Sequence, residues 1–129
     1  MKSYESLLNE ENKTTVKYSL NIGLDDKDLK KQIIPTNLAR QIVIQTFLKN
    51  DIEGFTIYDA LGCYKYKNGE ITQETSFKID VLFFDNDIYK QNNQIINVVK
   101  QLLKELNQES IAVQREMINS DLIDEESFK

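Results

Sequence analysis

The clearest alternation of apolar and polar positions lies in the run ITQETSFKIDVLFF. Ile71, Gln73, Thr75, Phe77, Ile79, Val81 and Phe83 fall on one side of an extended chain, and Thr72, Glu74, Ser76, Lys78 and Asp80 on the other. This is the pattern of a half-buried strand. The run before it, GFTIYDALGCYKY, reads as a partner strand interrupted at Asp59-Ala60-Leu61-Gly62, where small residues and a glycine mark either a bulge that adds twist or a place where another backbone or a ligand comes close. Between the two, Asn68-Gly69 predicts a two-residue hairpin turn, because such turns need positive φ, which Asn tolerates and Gly adopts freely. A long hairpin from Gly54 to Phe84 is therefore the element around which the rest is arranged.

Upstream, Val16, Tyr18, Leu20, Ile22 and Leu24 alternate with Thr15, Lys17, Ser19, Asn21 and Gly23, giving a first strand with one buried face. After the charged segment DDKDLKKQIIP, Pro35 precedes a helix that starts at Thr36, buries Leu38, Ala39, Ile42, Val43, Thr46 and Phe47, and fades near Lys49-Asn50-Asp51. Ile44 and Leu48 lie off that stripe. A second helix, from about Gln91 to Leu106, follows from Ile95, Val98, Val99, Leu102, Leu103 and Leu106, with Asn107 suited to a left-handed cap. SIAVQREMI, from Ser110 to Ile118, reads as a last strand whose two faces differ little.

The order strand, helix, strand, strand, helix, strand predicts an α+β, ferredoxin-like two-layer sandwich (βαββαβ), a four-stranded antiparallel sheet with both helices on one face. Residues 1–13 are expected to form a loose arm, 14–118 a single domain and 119–129 an acidic, solvated tail. The uncovered sheet face would carry Lys17, Ser19, Asn21, Thr56, Tyr58, Tyr64, Tyr66, Glu74, Ser76, Lys78 and Asp80.

Composition narrows the chemistry. The chain of 129 residues has no histidine, which removes Ser-His-Asp, Cys-His and His-metal sites. Cys63 is the one cysteine, so no internal disulfide can form, and as a strand residue with no histidine to activate it, it reads as a small filler. A net charge of -5 and only two arginines, Arg40 and Arg115, argue against general nucleic-acid binding. No apolar run is long enough to span a membrane and no export signal opens the chain, so the expectation is a cytoplasmic protein. Abundant Lys, Asn and Ile suggest an AT-rich coding source.

From about Tyr18 to Ile118 the sequence resembles a family of small bacterial and phage domains of unknown function. The residues that carry the likeness are Gly23-Leu24, then Asp59, Ala60, Gly62 and Tyr64, then Gly69, Ile71, Glu74 and Ser76, and finally Gln108, Glu109, Ser110 and Ile111. The resemblance implies a ferredoxin-like domain and no established activity. Many members of that family carry an export or lipoprotein signal, which this chain lacks.

Three tyrosines among short polar residues suit recognition, since a phenol offers a flat apolar area and keeps a hydrogen bond. Gln108-Glu109-Ser110 reads as a cap and turn, or, with Arg115, as the rim of a pocket holding an anionic group. Asp59, Glu74 and Asp80 could be drawn as a magnesium cluster, but carboxylates on exposed strands are more often solubilising. Asp85, Asn86 and Asp87 read as turn residues. The candidate ligand-binding set is Tyr58, Tyr64, Glu74, Lys78, Gln108 and Arg115, with no catalytic residue, metal or cofactor assigned. The expected function is a non-enzymatic homo-oligomeric binding protein, of phage or mobile-element type, sequestering a small anionic, nucleotide-like ligand in a counter-defence role. The alternatives are an inhibitor acting by contact with a host effector protein, and a carboxylate- or tyrosine-dependent enzyme.

Overall fold

The computed structural model describes residues 14–85 and 87–129. The arm expected at residues 1–13 lies outside the described residues. Strand β1 (Thr14–Gly23) is followed by helix α1 (Thr36–Lys49), the hairpin strands β2 (Thr56–Lys65) and β3 (Ile71–Phe83), helix α2 (Ile88–Glu105), strand β4 (Ala112–Asn119) and a 3₁₀ turn (Glu125–Phe128). The sheet is antiparallel in the order β2-β3-β1-β4. Both helices pack on one face, so the ferredoxin-like sandwich is the observed fold.

The core is built as the alternation requires. Val16, Tyr18, Leu20 and Ile22 from β1 and Phe77, Ile79 and Val81 from β3 meet Ala39, Val43 and Phe47 from α1 and Ile95, Val98 and Leu102 from α2. Phe47 stacks on Phe55 at 4.7 Å between ring centroids. Leu38, expected in the stripe of α1, is exposed, and α1 buries Thr46 because its hydroxyl donates back to the Ile42 carbonyl at 2.7 Å.

Both helices end in the same way. Asp51 (φ 62) and Asn107 (φ 48) adopt the left-handed conformation, and Ile52 and Gln108 return hydrogen bonds to the Phe47 and Leu103 carbonyls at 3.1 and 2.9 Å. This double-bonded end satisfies carbonyls a helix terminus leaves open. Asn107 was the expected cap. Ile52, buried beyond the end of α1, was not foreseen.

The hairpin differs from expectation in two ways. Its turn is a three-residue loop: Tyr66 N–H donates to the Glu70 carbonyl, Gly69 N–H donates to the Tyr66 carbonyl, and only Gly69 has positive φ, 90°. Asn68 instead accepts from the Glu70 N–H through its side chain at 3.0 Å, an Asx turn. The second difference is that pairing runs unbroken from Thr56↔Asp80 to Lys65↔Ile71, so there is no bulge at Gly62. The glycine has another reason, since a Cβ there would meet the Tyr64 ring at 3.2–3.5 Å. Pairing of β3 with β1 stops at Ser76↔Gly23, so the hairpin continues beyond its neighbour as a two-stranded arm. Among the described residues no helix is long and apolar enough to cross a membrane.

Candidate functional site

Where β1 stops and the hairpin continues, the open face of the sheet turns into a cleft of about 500 Å³. Its lining includes the small residues Gly23, Ala60, Gly62, Ser76 and Ala112 of the sheet. Tyr64 and Tyr66 rise from the arm, Lys27 and Lys30 come from the loop after β1, and Gln108, Glu109 and Ser110 close the side next to β4.

Glu74 is fixed at the centre of this arrangement. Its Oε2 accepts from the Asp25 N–H at 2.8 Å, and its carboxylate lies across Gly23 in the space any Cβ would need. The Leu24 N–H donates to the Thr75 carbonyl at 2.9 Å, so the end of β1 is held by backbone and carboxylate together. With no side chain, Gly23 leaves the room in which the acid folds over the strand.

The wall carrying the lysines is tied to the end of α2. Gln108 Nε2 donates to the Asp25 carbonyl at 2.8 Å, and Asn107 Nδ2 donates to Asp26 Oδ1 and Asp28 Oδ2 at 2.8 and 2.9 Å. The hydrogen bond from Asn107 is the largest influence holding the Asp26 carboxyl below its ordinary range, aided by the Leu29 N–H. Gln108 thus does act as the cap-and-turn residue its spacing suggested, while also lining the cleft.

Of the six candidate ligand-binding residues, the cleft collects Tyr64, Glu74 and Gln108. Tyr58 and Lys78 sit opposite each other further along the same sheet face, with the ammonium 5.9 Å from the ring centroid. Arg115 pairs with Tyr18 across β4 and β1 and so lies on the helix side, 3.5 Å from Asn92 Oδ1. The drawn carboxylate cluster does not assemble. Asp59 is on the helix side, paired with Arg40 at 2.9 and 3.0 Å, while Asp80 accepts from Ser19 at 2.9 Å on the open face. Among the described residues no group of three acids, cysteines or histidines could hold a metal ion. Cys63 is exposed and fills no space in the core, because β2 at that point belongs to the arm.

Lys27, Lys30, Tyr66 and Glu109 complete the cleft and were not in the candidate set. Alternation had already put Tyr66 on the open face. Yet nine of the fourteen residues by which the sequence resembles the family of small bacterial domains gather here: Gly23, Ala60, Gly62, Tyr64, Glu74, Ser76, Gln108, Glu109 and Ser110 line the cleft, while Leu24, Asp59, Gly69, Ile71 and Ile111 do not.

No family model matches the chain, and no curated protein matches it. Solved structures do. A phage SAM lyase in complex with S-methyl-5'-thioadenosine superposes with a TM-score of 0.63 at 16% identity, covering 81% of this chain and 82% of the lyase. The apo phage SAM lyase gives 0.62 at 18% identity, covering 88% and 90%. The ATP complex of GlnK from B. subtilis gives 0.56 at 15% identity, covering 82% and 83%. At these identities the likeness is one of fold.

Proposed function

We propose that this protein is an enzyme that binds S-adenosylmethionine in the cleft and splits it to S-methyl-5'-thioadenosine. The observation that carries the reading is the convergence of Tyr64, Tyr66, Glu74 and Glu109 on one cleft whose lining includes small residues. Two of the similar structures are of a phage SAM lyase, one of them holding S-methyl-5'-thioadenosine, which supports the same ligand chemistry. The carboxylate- and tyrosine-dependent enzyme thereby moves ahead of the non-enzymatic binder.

The chemistry suits a chain without histidine. In S-adenosylmethionine the sulfonium is already a leaving group, and the methionine carboxylate of the same molecule can displace it. An O–C bond forms at the carbon γ to the carboxyl, the C–S bond breaks, and its electron pair returns to sulfur. The products are a neutral thioether, S-methyl-5'-thioadenosine, and a five-membered lactone. No proton, water or metal is consumed, so no group titrating near neutrality is needed. The protein's part is to fold the ligand into the reactive geometry and keep water away. Tyr64 and Tyr66 supply rings for the adenine. Glu74 and Glu109 take the cationic end.

Charge favours this ligand over a nucleotide. The cleft is lined by four carboxylates, Asp25, Asp26, Glu74 and Glu109, against two ammonium groups, Lys27 and Lys30. Like charges in a shared site repel, so a ligand with net positive charge is preferred to a polyphosphate. Destroying the cell's methyl donor would serve a phage counter-defence role. Incubation of the purified protein with S-adenosylmethionine, followed by mass spectrometry, is expected to show S-methyl-5'-thioadenosine and lactone in equal amounts. Glu74→Gln should lower the rate by about 100-fold or more. Tight binding without products would return the protein to the sequestering class, and neither binding nor turnover would refute the proposal.

The same reading includes self-association. Leu61 and Ile71 fall on the helix side of the arm by alternation and are 59% and 72% exposed, Leu61 also touching the edge of the cleft. A second copy is the partner that would cover them. Light scattering should give a mass above the monomer's that falls to the monomer's in Leu61→Ser/Ile71→Ser; a monomeric wild-type protein would rule this out.

A further inference from the structure

The 25–32 loop holds a lysine in a backbone conformation that lysine disfavours. Lys30 has φ 59, a region where a Cβ crowds the backbone and where Gly or Asn is usual. The surroundings enforce it. Lys30 N–H donates to the Asp26 carbonyl, Asp26 N–H donates to the Lys31 carbonyl, both at 2.8 Å, and Asp26 Oδ2 accepts from the Asp28 and Leu29 N–H groups at 3.0 Å. Asn107 pins the loop from outside. Its side chain donates to Asp26 and Asp28, and its carbonyl accepts from the Lys27 N–H at 3.0 Å.

Strain of this kind persists only where the structure over-determines it. Glycine would relieve it, which makes Lys30→Gly a substitution the backbone tolerates. Lys30 and Lys27 both line the cleft, and among the described residues neither ammonium is in an ion pair. Two lysines outside any ion pair, on a loop that lines a cleft otherwise rich in carboxylates, supply the positive charge with which a single anionic group could be held.

We propose that Lys30, supported by Lys27 and positioned by Asn107, is the specificity-determining residue that grips the amino-acid carboxylate of the ligand, so that adenine nucleosides bearing such a tail are chosen over those without it. This rests on the reading of the cleft as a site for S-adenosylmethionine. A charge-assisted hydrogen bond from an ammonium to a carboxylate is among the stronger polar contacts, and holding the loop in place before binding spares the cost of ordering it. Asn107 acts at one remove, through the loop.

Two unreactive probes separate the effects. S-adenosylhomocysteine carries the amino-acid tail, S-methyl-5'-thioadenosine lacks it, and neither has a sulfonium to be displaced. In calorimetric titrations Lys30→Gly should weaken S-adenosylhomocysteine by about tenfold or more and leave S-methyl-5'-thioadenosine within about twofold, with Tm unchanged or raised. Lys30→Arg should restore the preference. Asn107→Gly, which keeps the left-handed helix end and the backbone bond to Lys27 but removes the two side-chain bonds to Asp26 and Asp28, should shift the preference in the same direction. An unchanged ratio in Lys30→Gly, or equal weakening of both probes, overturns the inference while leaving the cleft as the binding site. If the wild-type protein binds neither probe, the inference and the reading beneath it both fall.

Discussion

Single residues show best why parts of the site could be foreseen and parts could not. Glu74 was legible because strict alternation along β3 assigns it to the open face, and Tyr64 because the weaker pattern of β2 resumes after its interruption. Arg115 was placed near Gln108 by closeness in sequence, but register with β1 sends it to the helix side, opposite Tyr18. In an edge strand with two similar faces, nothing in the sequence reveals that parity. Gly62 fits a bulge or a close approach equally well from sequence, and the structure shows unbroken pairing with the Tyr64 ring seated on the glycine, since all these demands select the same residue type. Gly23 carries the sharpest test at this scale. Gly23→Ala drives the added methyl group into the Glu74 carboxylate, which must swing away and give up its bond to the Asp25 N–H. Since the displaced group is the end of a flexible side chain, the loss of stability should be only about 1 kcal/mol by denaturant melting. Turnover should fall much further, by an amount comparable to Glu74→Gln. A variant that melts like the wild type and keeps full activity would detach Glu74 from the chemistry.

At the scale of elements, the hydrophobic pattern was sufficient for type and order. The two helices and the inner strands β1 and β3 follow from periodicity because each buries one face against a single core, while β2 and β4 are exposed edge strands that follow from their place beside them. What the pattern missed lies at the ends. Ile52 becomes a core residue only because the end of α1 folds back on Phe47, and the loop after β1 is organised by Asp26 and Asn107, which are 81 residues apart. Such long-range pins leave no periodic trace. The hairpin turn illustrates a related ambiguity. Asn-Gly fits a two-residue turn, but it serves equally in a three-residue loop where Asn68 caps with its side chain and Gly69 alone takes positive φ. Gly69→Ala should therefore destabilise the protein by about 1–2 kcal/mol, read as a lower midpoint in urea. Asn68→Gly should be milder because it loses only the Asx bond. Equal losses at the two positions would indicate a turn with positive φ at both.

For the whole molecule, the proposed ligand carries its own nucleophile and leaving group, so the proposed reaction needs no histidine, which the sequence does not contain. The architecture adds to this by stopping β1 short while the hairpin runs on, so that a step in the sheet becomes a cleft and small residues become part of its lining. Tyr58 and Lys78, further along the open face, offer the competing location. The most direct test is amide chemical-shift mapping of the ¹⁵N-labelled protein titrated with S-adenosylhomocysteine, which cannot be split. The account expects the largest shifts at Gly23, Asp25, Lys30, Gly62, Glu74 and Gln108, and small ones at Thr56, Tyr58 and Lys78. Shifts centred on Tyr58 and Lys78, or none at saturating ligand, would contradict it.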